Sequence, residues 1–465
     1  MDHFSFAKEG KRAPALDKDY RPMALANRDY INAAKNCEDA VDIKIALLRS
    51  GGLCSVYETK ILPETGEYRQ DNLIYVERLV KTLLWLKGGY KIIFGGPKYV
   101  GDYISSEYRT GGSREFDAQF MAKVYEKPFE VETAAYDKVP EQRENFKSVG
   151  RHLAGCRIGF DAGGSDRKVS AVIDGEAVFS EEVVWHPKLQ SDPSYQYEGI
   201  LDSMRTAAGK MPRVDAIGVS AAGIYIDNRI MAASLFIKVP EDLFDQKVKN
   251  MFFDIQREMG GVPIEVANDG DVTALAGAMS LGDDRVLGIA MGTSEAAGYV
   301  DENGNITGWL NELAFVPVDY NPGAMEDEWS GDIGCGVKYF SQDGVIKLAP
   351  NAGIELEESL SPADKLKQVQ KLMSQGDERA RKIYQSIGCY LGYAIAYYSQ
   401  FYDIGHVLLL GRVTSGEGGN ILLDNAKDVL SSDFPELAGR INIIIPDEKS
   451  RRVGQSVAAA SLPEI

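Results

Sequence analysis

The chain has 465 residues, with 51 Lys and Arg against 69 Asp and Glu, for a formal net charge of −18. That length suits two or three domains rather than one. The acidic balance repels phosphate backbones and argues against nucleic acid as a partner. The five cysteines, Cys37, Cys54, Cys156, Cys335 and Cys389, lie far apart and form no C-x-x-C pair, and the four histidines are isolated. This disfavours both a disulfide framework and a structural zinc site. The N-terminus lacks the apolar core of a signal peptide, and no uncharged apolar run approaches the roughly 18 residues of a membrane span. A reduced, cytoplasmic setting without membrane contact is the expectation.

Residues 1–35 are polar and mixed, and read as an extended arm. "VDIKIALLRSGGLCSVYETKIL" predicts strand, Gly-Gly turn and strand. "NLIYVERLVKTLLWLKGG" has helical periodicity and a glycine stop. "YKIIFGGPKYVGDYI" predicts a strand running into a glycine turn and a helix. The charged passage 135–152 reads as a linker or connecting helix. A second block opens with "CRIGFDAGGSDRKVSAVIDGEAVF", two strands about Gly163-Gly164 with another turn at Asp174-Gly175. "VDAIGVSAAGIYID" adds a strand with a small-residue turn, and "DLFDQKVKNMFFDIQREMGG" an amphipathic helix. "PIEVANDGDVTALAGAM" runs from a strand through Asn268-Asp269-Gly270 into a helix. "VLGIAMGTSEAAGYVDENG" then repeats the strand–glycine turn–strand opening. A mostly apolar helix at 382–403 and a strand–glycine loop–helix at 406–430 complete the chain. Strands alternating with helices predict α/β layers, and the hairpins predict mixed sheets.

Three glycine turns and one carboxylate carry the chemistry. Gly163, Gly164 and Ser165 follow a strand ending at Asp161; Gly292, Thr293 and Ser294 sit in a second hairpin; Gly411 and Thr414 open a third loop. Backbone N–H groups in such turns can cradle phosphate oxygens, and an Asp just before them can hold hydrated magnesium. Each turn alone also reads as a plain hairpin. Asp269 reads either as a helix cap or as a base for a hydroxyl group.

Taken in order, these motifs resemble the sugar kinase/Hsp70/actin superfamily. Within it they are most similar to the ROK family (repressors, open reading frames and kinases). The family's D-x-G-G-T is matched by Asp161-Ala162-Gly163-Gly164-Ser165, and its E-N-D-A by Ala267-Asn268-Asp269-Gly270. Its G-T-G-x-G is matched by "GTSEAAG", and its A-G-E-I-G-H loosely by "LNELAF" through Glu312. "GDIGCGVKYFSQDGV" is similar to the cysteine-containing segment that follows. The likeness spans about 155–465. It implies two ribonuclease-H-like (actin-like ATPase) lobes with a cleft, at 151–265 and 266–465, the last helix returning to the first lobe. An N-terminal α/β accessory region with an arm, 1–150, would precede them.

The resemblance implies ATP-dependent phosphorylation of a hexose-like hydroxyl. Asp269 would be the base, and Asn268, Asp269 and Glu312 would face the sugar. Asp161 would place Mg²⁺. Gly163, Gly164, Ser165, Gly292, Thr293, Ser294, Gly411 and Thr414 would hold the nucleotide. A sugar and a nucleotide are the implied partners, with a homodimer left open. A non-catalytic sugar sensor or scaffold on the same fold is the alternative, and activity itself stays open.

Four departures bear on this. Phe315 falls at the family's zinc-ligating His position and only Cys335 remains of its cysteines, so no zinc is expected. Glu295 enters the second hairpin, where a carboxylate would repel ATP phosphates by about 1 to 4 kcal/mol at 4 Å. Arg412 replaces a glycine of the adenosine loop, to stack on a base or to block it. Ser165 replaces a threonine and keeps the hydroxyl. The first 150 residues lack the basic winged helix-turn-helix of a ROK repressor. Some of their segments loosely echo the actin-like openings, which leaves a degenerate third copy or an unrelated accessory domain as readings.

Overall fold

The computed structural model describes residues 3–144, 149–446 and 448–465, the side chains of 448–453 excepted. Residues 145–148 of the expected linker lie outside the described residues. No helix among the described residues is long and apolar enough to cross a membrane.

The first block runs α1 (Met23–Lys35), β1 (Val41–Leu48), β2 (Cys54–Ile61), α2 (Arg69–Lys87), β3 (Lys91–Gly95), α3 (Lys98–Tyr108), α4 (Glu115–Tyr125) and β4 (Glu130–Ala134). Its sheet has the order β2-β1-β3-β4. The arm corrects the sequence expectation at its C-terminal half. Residues 23–35 are helical because Met23, Leu25, Ala26, Tyr30 and Ala34 form a stripe that is buried, α1 packing against the helix at 378–398. The described part of the expected linker carries a single 3-10 turn at Tyr136–Lys138 and no connecting helix.

The second block runs β5 (Cys156–Ala162), β6 (Asp166–Ile173), β7 (Glu176–Val184), α5 (Ser194–Ala208), β8 (Ala216–Ala221), β9 (Ile224–Ile226) and β10 (Arg229–Ala232). It continues with α6 (Glu241–Leu243), α7 (Met251–Glu258), β11 (Ile264–Asn268) and α8 (Asp269–Leu281). Its main sheet has the order β11-β8-β5-β6-β7. Asp174 and Gly175, with φ of 48° and 86°, make the tight turn from β6 to β7. The amphipathic helix expected at 242–261 is broken: α6 passes into a π-helical turn, Phe244–Val248, before α7 begins.

The third block runs β12 (Val286–Met291), β13 (Glu295–Val300), α9 (Gln342–Leu348), α10 (Pro362–Ser374), α11 (Glu378–Tyr398), β14 (His406–Leu410), α12 (Glu417–Asp433), α13 (Pro435–Ala438), β15 (Asn442–Ile444) and α14 (Glu448–Ala460). Its sheet has the order β13-β12-β14-β15. The two glycine-turn hairpins therefore open two separate sheets by the same rule. In each, the first strand pairs antiparallel with the second and parallel with the next long strand, β5 with β8 and β12 with β14. The first block breaks that rule, because β1 pairs antiparallel with β3 as well as with β2. It is not a third copy of the actin-like unit.

Helix α14 crosses back to pack on α8, β5 and β8. Gly159 and Gly218 permit this. A Cβ on either would fall 2.1 Å from the Ser456 carbonyl oxygen or 1.6 Å from that of Ala459. The first block has a small cluster of its own, Ala46, Cys54, Ile93 and Val139, but its larger core is shared. Tyr30, Tyr75, Leu84 and Trp85 belong to one continuous apolar cluster with Ile289, Tyr320, Tyr390 and Val407.

Candidate active site

Parallel pairing brings the carboxyl ends of β5, β8 and β11 side by side, with Asp161 opposite Ser220 and Ala267 opposite the same serine. The Ser220 hydroxyl donates to Asp161 Oδ1 at 2.9 Å. Asp161 is buried, and its carboxyl is pushed up to about 6, first by burial and then by the charge of Asp269. Lys168 opposes this from 3.9 Å, but it is bound more closely to Asp166, at 2.7 Å.

The structure separates the two readings of the Asn268-Asp269 pair. Asn268 is the helix cap: its Oδ1 accepts from the Gly270 N–H at 2.7 Å, and its Nδ2 donates to the Gly223 carbonyl at 2.7 Å. Asp269 is the first residue of α8, half-buried, and its carboxylate accepts from the Gly270 N–H at 3.0 Å, a donor it shares with Asn268. Burial pushes its carboxyl up, and Lys188 pulls it back. Both polar groups of Asn268, expected to bind sugar, thus already have internal partners.

Two glycines press the first turn of α8 onto the second hairpin. A Cβ at Gly298 would lie 2.2 Å from the Asp271 nitrogen and from the Gly270 carbonyl, and a Cβ at Gly270 would lie 2.3 Å from the Ala297 oxygen. Beside them, Asp271 accepts from the Tyr299 N–H at 3.1 Å and from the Asn311 amide at 2.9 Å. Glu312 follows Asn311, and its carboxyl is pushed up to about 7 by burial, then by Asp269 and Asp271. Asp161, Asp269, Asp271 and Glu312 thus form one electrostatically linked acidic group.

The remaining nucleotide candidates sit at the carboxyl ends of β12 and β14, which pair in parallel up to Ala290 and Leu410. Gly411, with φ 94°, approaches Met291 so closely that a Cβ would fall 2.2 Å from its carbonyl oxygen. Thr414 spends its hydroxyl on the Gly411 carbonyl at 2.9 Å. Thr293 and Ser294 are exposed at the hairpin tip, as are Gly164 and Ser165 in the first turn. Gly163, Gly164 and Gly292 do not adopt left-handed backbone. Gly163 is required by close approach instead, since a Cβ there would lie 2.7 Å from the Asp166 carbonyl oxygen.

Two expected obstacles change character. Glu295 does not face the phosphate side of its hairpin. It is buried beneath the hairpin, its Oε2 lies over Gly336, and burial, then the charge of Glu312, pushes its carboxyl well up. Arg412 is exposed and fills no site, while its carbonyl accepts from Gln370 at 2.7 Å.

The segment around Phe315 packs against the first block. Phe315 stacks on Trp85 with ring centroids 4.2 Å apart. The Asn311 and Glu312 N–H groups donate to the Leu86 and Trp85 carbonyls at the end of α2, at 3.0 and 3.1 Å. Cys335 is buried with its sulfur 3.6 Å from Asp332, which is itself held by Arg78, Lys81 and Arg114. Three cations about a lone thiol oppose a second one. Metal analysis of untagged protein is expected to find substoichiometric zinc, and one zinc per chain bound through Cys335 would overturn this.

No family model and no curated protein matches the chain. Among solved structures it is similar to the ROK hexokinase from Thermus thermophilus, at 18% identity and a TM-score of 0.50, over 65% of this chain and 97% of that one. It is also similar to a ROK family transcriptional regulator, a homologue of the E. coli MLC protein, at 17% identity and a TM-score of 0.53, over 67% of this chain and 79% of that one. The fold is the ROK fold. Lys188, Ser220, Asp271 and Asn311 join the sequence-derived residues at the candidate site. Ser220 could have been found from its place as the penultimate residue of a strand, like Asp161. Nothing local marks Lys188.

The raised carboxyls have a consequence for stability. A carboxyl whose folded pKa exceeds the unfolded value of about 4 contributes stability below that pH and loses it as pH rises through the folded value. Glu312, faced by Asp269, Asp271 and Glu295, makes that loss between about pH 4 and 7. The urea midpoint of Glu312→Gln is therefore expected to fall less between pH 5 and pH 8 than that of wild type. Parallel curves would show that the group does not titrate in this range.

Proposed function

We propose that the chain is a sugar kinase that transfers a phosphoryl group from Mg-ATP to a hydroxyl of a hexose-like sugar. The observation that carries this reading is the division of labour at 268–269. Asn268 takes the cap, which leaves the Asp269 carboxylate at the head of a helix, held by backbone N–H groups, with two further carboxyls, Asp161 and Glu312, within electrostatic reach.

Asp269 accepts the sugar hydroxyl proton as the oxygen attacks the terminal phosphorus. The bond from that phosphorus to the bridging oxygen breaks, and its electrons leave with ADP. Asp161 fits a divalent ion: its Oδ1 is oriented by Ser220, and the repulsion it shares with Asp269 is one that a cation would relieve. Magnesium held there would supply charge neutralisation at the phosphates. The turns at 163–165 and 292–294 hold phosphate oxygens, and the 411–414 loop flanks the adenosine. A cavity of about 320 Å³, bordered by Asn268, Gly223 and Trp309, gives a sugar ring room beside the helix cap. Arg49 and Tyr125 of the first block also line it.

A sugar sensor without phosphoryl transfer is the second reading. The backbone bonds from Asn311 and Glu312 to α2 favour it, since they tie a sugar-facing carboxylate directly to an added domain. Calorimetry with Mg-ATP, with and without a sugar panel, tests between them. Nucleotide binding that a sugar strengthens, followed by ADP release, supports the kinase. Sugar binding without nucleotide binding overturns it in favour of the sensor.

A further inference from the structure

We propose that Lys188 is the phosphoryl clamp of this site, a fixed cation that reaches over the Gly163-Gly164 turn to take the terminal phosphate oxygens of the donor. The inference rests on the kinase reading and extends it to a residue that no motif marks.

Position comes first. Lys188 follows β7 in a short 3-10 turn, Pro187–Leu189. Its Cε and Nζ are the only atoms that a Cβ on Gly164 would meet, at 3.1 and 3.3 Å. The absence of a side chain at 164 is thus what admits the ammonium to the turn. The turn's exposed tip otherwise offers only backbone N–H groups to an anion, since the Ser165 hydroxyl donates to Asp166 at 3.0 Å.

The backbone that carries Lys188 is tethered to the same turn. Trp185 is buried, and its indole N–H donates to the Gly163 carbonyl at 2.8 Å, while its backbone N–H donates to the Ser165 carbonyl at 3.1 Å. Gln196, also buried, donates from Nε2 to the Pro187 carbonyl at 3.0 Å and to the Leu235 carbonyl at 3.1 Å. Lys188 is therefore carried by a segment hydrogen-bonded to the phosphate turn on one side and to α5 on the other. A cation placed in advance stabilises charge without reorganising during the reaction.

Charge completes the argument. The site gathers Asp161, Asp269, Asp271 and Glu312, and a nucleotide triphosphate adds further negative charge. Lys168 is spent on Asp166 and Asp161. Lys188 has no carboxylate partner at ion-pair distance among the described residues, and its charge is felt by Asp269. The ammonium therefore lies against the phosphate turn and within electrostatic reach of the base.

The test uses the full chain and calorimetry with Mg-ATP and Mg-ADP. Lys188→Met is expected to weaken Mg-ATP binding by about 10- to 100-fold, the range of a lost hydrogen bond to a charged group, while Mg-ADP, which lacks the terminal phosphate, changes little. Lys188→Arg should restore most of the difference. Equal weakening of both nucleotides would indicate a structural role and overturn the clamp, as would unchanged Mg-ATP binding. If wild type binds no Mg-ATP, the kinase reading fails. The clamp is then read with inorganic tripolyphosphate: binding that Lys188→Met abolishes supports it, and absent or unchanged binding overturns it.

Discussion

Asp269→Asn is expected to lower turnover by about 10²- to 10⁴-fold, the usual worth of a positioned general base, with little change in melting temperature. The asymmetry follows from the geometry. The helix cap is Asn268, so the substitution leaves the bonds to Gly270 and Gly223 in place. Asn at 269 keeps the shape of the side chain and an oxygen for the Gly270 N–H. It also removes a charge that burial and the nearby Asp161 and Glu312 disfavour and Lys188 favours, so the opposing electrostatic changes largely offset. Asn268→Ala should behave in the opposite sense, costing about 0.5–2 kcal/mol of stability through the lost cap. Both are measured by steady-state ADP release and by thermal unfolding. Full turnover in folded Asp269→Asn would reject the base assignment, and stability loss without turnover loss would return the residue to a structural role.

Asp332→Ala is expected to destabilise the protein by about 3–5 kcal/mol, the cost of leaving buried charge without its partner. Asp332 is buried and accepts from Arg78 at 2.7 and 3.1 Å, with Arg114 at 2.9 Å and Lys81 at 3.3 Å. These three cations are matched by Asp332, Glu77 and Asp117, all buried. Removing Asp332 leaves three positive charges against two negative ones in a space closed to water. The surrounding cations hold the Asp332 carboxyl well below the usual carboxylate range, so the effect should be fully present at neutral pH. Urea unfolding of wild type and variant measures it. A difference below about 1 kcal/mol, the scale of an exposed ion pair, would show that the cluster is solvated and not the internal joint described here.

The phosphate-turn hairpins were legible because short-range rules govern them: a run of apolar residues, a glycine pair and another apolar run have few other solutions. The Asn268-Asp269 seam was legible as a place but not as roles, since either residue type caps a helix well and only the dihedral angles assign the position. Glu295 was misread because alternation along β13 turns it inward, and the start of that strand was not fixed closely enough to tell inside from outside. The arm was misread at 23–35 because the apolar stripe of α1 is interrupted by polar residues such as Asn27, Arg28 and Asp29, and it is burial against α11 that reveals it. Lys188 could not be read at all. It meets Gly164 across 24 positions through a turn whose path depends on Trp185 and Gln196. Contacts of that range leave no periodic trace.

The shared core of the first block and residues 287–443 sets a condition on how the protein is made. Apolar side chains such as Tyr30, Tyr75 and Trp85 leave the ribosome long before Ile289, Tyr390 and Val407, the residues that cover them. At about 5–20 residues per second, the wait is on the order of ten seconds to a minute. During that interval the nascent chain displays an unfinished surface that only its own later synthesis can close. Expression of the first block alone would make that exposure permanent, so its yield in soluble form should depend on chaperone supply far more than that of the whole chain.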